Sequence, residues 1–264
     1  MGVRQRPTHR IALGAALVAT LLLGGAVGHS ADTPGPWVED FRSGRLDPAR
    51  WERTHDGDFR EWSVDVVDSI RRRDASSDPA ASPLSPIYRL RLRADTRGTR
   101  DDTVKFLGAR AVPAITLQEG REIVVQLDWG NQSNGSYLTA AVVLSPHVTS
   151  GNPLTTDDWL SVTYVGVPPG RNGRLVVAAK SAGRERTVET EGWPDSGRQG
   201  RPLGVQVVRL GVRNRAVEVW EGDRRVWTAA RDVLAFDTAY LYLQMSSHSN
   251  YPPRSIYFDT VRID

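Results

Sequence analysis

Alternation of apolar and polar side chains recurs through most of the chain beyond residue 87, and it predicts strands. In YRLRLRAD, Tyr88, Leu90 and Leu92 alternate with Arg89, Arg91 and Arg93, the pattern of an amphipathic strand with a solvated arginine face. REIVVQLDWG puts Ile123, Val125, Leu127 and Trp129 on one side, and GSYLTAAVVLSP is apolar enough to be buried on both. Further strands are expected in DWLSVTYVGV, RLVVAAKSAG, RERTVETEG, LGVQVVRLGVR and SIYFDTVRI, and AVEVWEGDRRVW reads as a hairpin with Glu221-Gly222-Asp223 at its tip. The stretch AYLYLQMSSHSN has two unlike faces. Tyr240, Tyr242, Gln244, Ser246 and His248 point one way, and Leu241, Leu243 and Met245 the other.

The remaining segments read as connections. Asp47 followed by Pro48 suits a helix or turn start that folds Trp51 back onto the core. Residues 60–68 alternate weakly, Arg71 to Pro86 read as a surface loop, and Gly130 to Gly135 as a turn. Beyond residue 31 no segment has helical periodicity longer than a turn or two. About a dozen strands separated by Gly, Pro, Asn and Asp predict an all-β chain, a two-sheet antiparallel sandwich of jelly-roll type. Its polar concave face is the expected working surface.

The first 31 residues differ. Arg4, Arg6 and Arg10 precede the apolar run IALGAALVATLLLGGAV, and small residues follow at Gly28, Ser30 and Ala31. This is the layout of a secretory signal peptide, with a run too short for a membrane span. Residues 32–264 are then a single exported domain, periplasmic or extracellular, with no transmembrane segment. Residues 1–30 hold three of the 34 Lys and Arg and none of the 31 Asp and Glu, so the remainder has a formal charge of 31 minus 31, or zero. No clustered basic surface argues for nucleic acid. The chain has no cysteine, hence no disulfide and no thiol for lipid attachment, and its stability must come from burial.

The segments DFRSGRLDPARWE, VEVWEGDRRVW and YFDTVRID, with an amphipathic mid-chain strand ending in Trp129, together resemble the concanavalin A-like lectin/glucanase superfamily, laminarinase-type glycoside hydrolases in particular. The resemblance spans roughly residues 37 to 264 and implies the same sandwich fold. Such hydrolases carry Glu-x-Asp-x-x-Glu on a strand in the middle of the cleft. The strand in the comparable place here is DWLSVTY, with Trp159, Ser161 and Thr163 facing inward to the cleft, and Glu-x-Asp-x-x-Glu occurs nowhere in the chain. The resemblance also implies a structural calcium, with Asp259 of YFDTVRI at the position of its aspartate ligand; calcium takes hard oxygen ligands.

Sugars present one apolar face and a rim of hydroxyls, and are held by aromatic rings, amides and carboxylates. Trp129, Asn131, Gln132, Trp159, Trp193, Gln244, His248, Asn250 and Tyr251 stand at predicted strand ends or in turns and are the candidate ligand-binding residues. The expected function is binding of a poly- or oligosaccharide without laminarinase-type hydrolysis. The alternative is a glycoside hydrolase or polysaccharide lyase with relocated catalytic groups: Glu191, Asp158 and His248, or for a lyase His248, Tyr164, Tyr251 and Lys180. His147 reads as structural and His55 as exposed.

Overall fold

The structure is a computed structural model and describes residues 36–68, 88–100, 104–129, 138–165, 174–190, 205–248 and 250–264. The chain divides into two units, Met1–Ser30 and Ala31–Asp264, and the proposed leader lies outside the described residues. The strands are β1 Trp37–Glu39, β2 Trp51–Asp56, β3 Glu61–Asp68, β4 Tyr88–Asp95, β5 Lys105–Ala111, β6 Ile115–Thr116, β7 Glu122–Asp128 and β8 Thr139–Ser145. They continue with β9 Trp159–Val165, β10 Arg174–Ser181, β11 Arg184–Thr190, β12 Val205–Arg213, β13 Ala216–Glu221, β14 Arg224–Ala230, β15 Thr238–Ser247 and β16 Arg254–Ile263.

The first sheet runs β14-β13-β12-β7-β16-β4-β3, with β1 on β16. The second runs β11-β10-β9-β8-β15-β5-β2, with β6 on β15. All the described pairings are antiparallel, and the fold is an all-β sandwich of jelly-roll type.

The core between the sheets follows the period-2 pattern. Leu90 and Leu92 of β4, Ile123, Val125 and Leu127 of β7, and Leu241, Leu243 and Met245 of β15 are all at most 1% exposed. Trp51 belongs to this core, its chain reversed by the turn in which Trp51 N donates to Asp47 O at 2.8 Å. The 221–223 hairpin is as expected, with Glu221 paired to Arg224. At one margin of the sandwich, Arg53 of β2 donates to Val64 O of β3 at 2.8 Å and ties the two sheets together.

Two expectations need correction. Strands β2, β5 and β6 were not legible in the alternation. In β5, KFLGARA, small residues occupy a crossing too tight for larger ones: a Cβ on Gly108 would lie 2.3 Å from Leu243 O. Second, Arg89 is not on a solvated face. Its side chain is 8% exposed and sits between Asp128 and Asp259.

Candidate functional site

The outer face of the second sheet carries the polar side of β15. Alternation turns Tyr240, Tyr242, Gln244 and Ser246 away from the core, as expected, but Tyr242, Gln244 and Ser246 are only 1%, 3% and 4% exposed. The cover is the chain's own β8–β9 connection, residues 146–158. It runs across the sheet, from β10 and β9 over β15 to β2, as a strap.

The strap is anchored by hydrogen bonds, several of which satisfy groups otherwise buried without a partner. Tyr242 OH donates to His147 O at 2.7 Å and accepts from Thr149 N at 3.0 Å. Gln244 Nε2 donates to Asn152 Oδ1 at 3.1 Å, and the same oxygen caps the 3-10 turn Pro153–Thr155 by accepting from Leu154 N. Trp159 Nε1 donates to Leu154 O at 3.0 Å and Lys180 Nζ to Thr156 O at 2.8 Å. At the far side His55 N donates to Ser150 O at 2.8 Å. Beneath the strap Ala141, Val143, Trp159, Ala178 and Tyr242 form a second, small apolar core. Burial also pushes the Tyr242 hydroxyl above its ordinary pKa. The expected burial of β8 on both faces follows from this layering.

The candidate residues therefore occupy different layers. Trp129 follows Ile123, Val125 and Leu127 inward, is 3% exposed, and packs against Tyr164 with ring centroids 5.7 Å apart. It belongs to the core and not to the outer face. Trp159 and Gln244 face the outer side but lie under the strap. Tyr164 points inward, its hydroxyl donating to Glu221 Oε1 at 2.9 Å, so it shares no face with Lys180. His248, Asn250 and Tyr251 form a turn docked on the end of β4. Thr96 Oγ1 donates to His248 O at 2.6 Å, Asn250 N donates to Thr96 O at 2.7 Å, and Gly98 N donates to Asn250 Oδ1 at 3.0 Å. Thr96 N donates to Tyr251 O at 3.1 Å. Asp158 is engaged by Ala182 N at 2.7 Å and by His147 Nε2 at 3.4 Å, which fastens the strap's C-terminal end. Asn131, Gln132, Glu191 and Trp193 lie outside the described residues.

A group that the sequence reading missed stands on the same face. Arg110 of β5 is paired with Glu52 of β2, and its guanidinium lies 5.0 Å from the ring centroid of Tyr240 on β15. Register brings them together: Arg110 is opposite both Glu52 and Tyr242. Half of the Glu52 side chain is exposed, at 51%. The nearby Gln244 Oε1 is buried and has no hydrogen-bond partner among the described residues. Alternation in β15 was a signal for Tyr240; nothing local marked Glu52 or Arg110, whose strands were not recognised.

This architecture recurs in solved structures. A β-glucanase of Bacillus licheniformis superposes with a TM-score of 0.53 at 11% identity, covering 88% of this chain and 98% of that one. The catalytic domain of an endo-1,3-β-glucanase (laminarinase) of Thermotoga petrophila gives 0.54 at 15% identity, covering 86% and 95%. A β-1,3-glucanase of Mycobacterium marinum gives 0.51 at 13%, covering 88% and 100%. The chain has the jelly-roll fold of these glucanases. No family model matches the sequence, and no curated protein does.

The residues at Asp259 do not fit a calcium ion. Arg89 Nη2 donates to Asp259 Oδ2 at 3.0 Å, Arg89 Nε contacts Oδ1, and Nη1 donates to Asp128 Oδ2 at 3.3 Å. A guanidinium thus fills the seat in which a calcium would need six to eight oxygens. Among the described residues no cluster of three or more His, Cys, Asp or Glu is placed to hold a metal.

Proposed function

We propose that the protein is an exported carbohydrate-binding module that engages a poly- or oligosaccharide on the outer face of the second sheet, without laminarinase-type hydrolysis. The observation that carries this reading is the grouping of Tyr240, Arg110 and Glu52 beside the strap, on a fold shared with glucanases. Together they offer a ring for a sugar's C–H face and the half-exposed Glu52 carboxylate, held by the buried Arg110, for an adjacent hydroxyl.

Retaining hydrolysis needs two carboxyls about 5 Å apart across the bound sugar. The sequences of β8, β9, β10 and β15, the middle of this sheet, contain no Asp or Glu, and Asp158 is committed to Ala182 and His147. Both facts favour binding over catalysis. The strap also confines the ligand to the margin near β5 and β2, which favours a short stretch of sugar units over a chain lying along the full sheet.

The test is retention on a panel of immobilised polysaccharides, with assays for new reducing ends and for unsaturated-uronate absorbance. Retention without product is expected. Tyr240→Ala and Glu52→Gln should each weaken retention about tenfold, equivalent to about 1.4 kcal/mol, Tyr240→Ala with little change in Tm and Glu52→Gln with a lowered Tm, because it leaves the buried Arg110 without its carboxylate. Normal retention by both variants would remove this face as the site. Product release would instead favour the glycoside hydrolase or polysaccharide lyase reading.

A further inference from the structure

The end of β12 and its turn into β13, the β6–β7 connection and the segment leading into β15 border an open cleft of about 430 Å3. Its floor is Leu117, Val212 and Leu234, each at most 9% exposed. Only Asn214 and Arg215 join β12 to β13, and both lie in the left-handed region, at φ 52° and 59°. Their N–H groups hold Glu119 of the cleft wall: Asn214 N donates to Oε1 at 2.6 Å and Arg215 N to Oε2 at 3.2 Å. Arg231 is engaged as well, its Nη2 donating to Asp237 Oδ1 at 2.6 Å and to Phe236 O at 2.8 Å. Arg231 N in turn donates to Arg215 O at 2.9 Å, so the Arg215 backbone is held from both sides. Two charges of the cleft remain. The Arg215 guanidinium and the Asp232 carboxylate line it, and neither makes a hydrogen bond or ion pair among the described residues. Glycine takes the second position of such a two-residue turn without strain. Arginine at that position is strained, and its charge serves no contact within the described fold.

We propose that this cleft binds a zwitterion with an apolar body, an apolar α-amino acid. The ligand's carboxylate accepts from Arg215, whose planar guanidinium suits a pair of oxygens. Its ammonium donates to Asp232, and its side chain lies on Leu117, Val212 and Leu234. A ligand with a single charge would leave either Arg215 or Asp232 beside it without a counter-charge. A volume of about 430 Å3 falls within the range of small-molecule sites. Tyr240, Arg110 and Glu52 do not line this cleft, so the proposal stands or falls separately from the glycan reading.

The test is calorimetric titration of the full chain with L-phenylalanine, with hydrocinnamate, which lacks the ammonium, and with phenethylamine, which lacks the carboxylate. L-phenylalanine should bind saturably with a Kd on the order of 1 mM, and each analogue about fivefold more weakly. Arg215→Gly should weaken L-phenylalanine binding about fivefold and melt no lower than the wild type, because the turn loses its strain and no folded-state contact of the side chain. Asp232→Asn, an exposed substitution, should remove the preference for L-phenylalanine over hydrocinnamate. The proposal is overturned if L-phenylalanine shows no saturable binding, or if either analogue binds the wild type as tightly. It is also overturned if both variants bind L-phenylalanine as the wild type does, which would place the binding elsewhere on the chain.

Discussion

The two outer faces of this sandwich are built from the same alternating pattern and end in opposite states. On the first sheet the outward positions carry exchanged charges. Arg91 pairs with Asp65 through two contacts at 2.9 and 3.1 Å, Arg93 with Glu61 at 2.8 Å, Arg225 with Glu218 at 2.7 Å and Arg213 with Glu122 at 3.3 Å. Most of these side chains remain a quarter or more exposed, and water screens them. On the second sheet the outward positions of β8, β9 and β15 are small, aromatic or neutral, and a loop closes over them. Apart from the buried Arg89–Asp259 pair, the first face is thus finished by ion pairs in contact with water, and the strapped part of the second mostly by neutral hydrogen bonds out of contact with it. Where water is excluded each lost bond leaves a buried group unsatisfied, so the covered face should be far less tolerant of substitution.

That contrast can be broken from the covered side first. Trp159→Ala empties the centre of the small core beneath the strap and should cost about 3–5 kcal/mol, read as a lowered chemical-denaturation midpoint. A loss below about 1 kcal/mol would make the strap a loose cover and erase the distinction between the faces. Tyr242→Phe removes a single oxygen but leaves His147 O and Thr149 N without their partner, an expected loss of about 1–3 kcal/mol. Amide exchange should localise that loss to residues 147–155.

A smaller effect should appear only in acid. Arg97 holds Asp95 at a pKa of about 2, below the ordinary 3.8. A carboxylate depressed by folding stabilises fully above its unfolded pKa, and that contribution disappears as pH falls from about 4 to about 2. Asp95→Asn should flatten that part of the stability profile and leave the profile above pH 5 with the same shape. The smallest effect belongs to the open face. A double-mutant cycle on Arg91 and Asp65 should return a coupling of about 0.2–1 kcal/mol that shrinks in high salt. A coupling as large as the Tyr242 loss would show that the ion-pair face is as dry as the strapped one.

Strands with regular alternation could be read directly. In YRLRLRAD, REIVVQLDWG and AYLYLQMSS the apolar members point where the period places them, and the apolar composition of GSYLTAAVVLSP anticipates the burial of β8, Thr139–Ser145, on both faces, its outer cover being supplied by the strap. Strand β5 was hidden because Gly108 is fixed by backbone clearance and the core positions Ala109 and Ala111 are small, which weakens the hydrophobic alternation. The candidate site was legible only in part. The stretch Tyr240 to Gln244 revealed its direction but not its cover, because the strap is held largely through backbone atoms of residues 147–156 that any side chain could supply. His248, Asn250 and Tyr251 have the composition of a ligand loop, yet their turn is fastened to Thr96 and Gly98, about 150 residues away in the chain.

What the sequence determined by itself is the layering: period-2 hydrophobicity decides which side chains enter the sandwich, because each strand has only two faces and one must leave water. What the tertiary structure alone decided is the state of the other side. Whether an outward residue meets water, a loop or an opposite charge depends on segments distant in the chain, as when residues 146–158 cross β15, or when Arg89 reaches an aspartate 170 residues away.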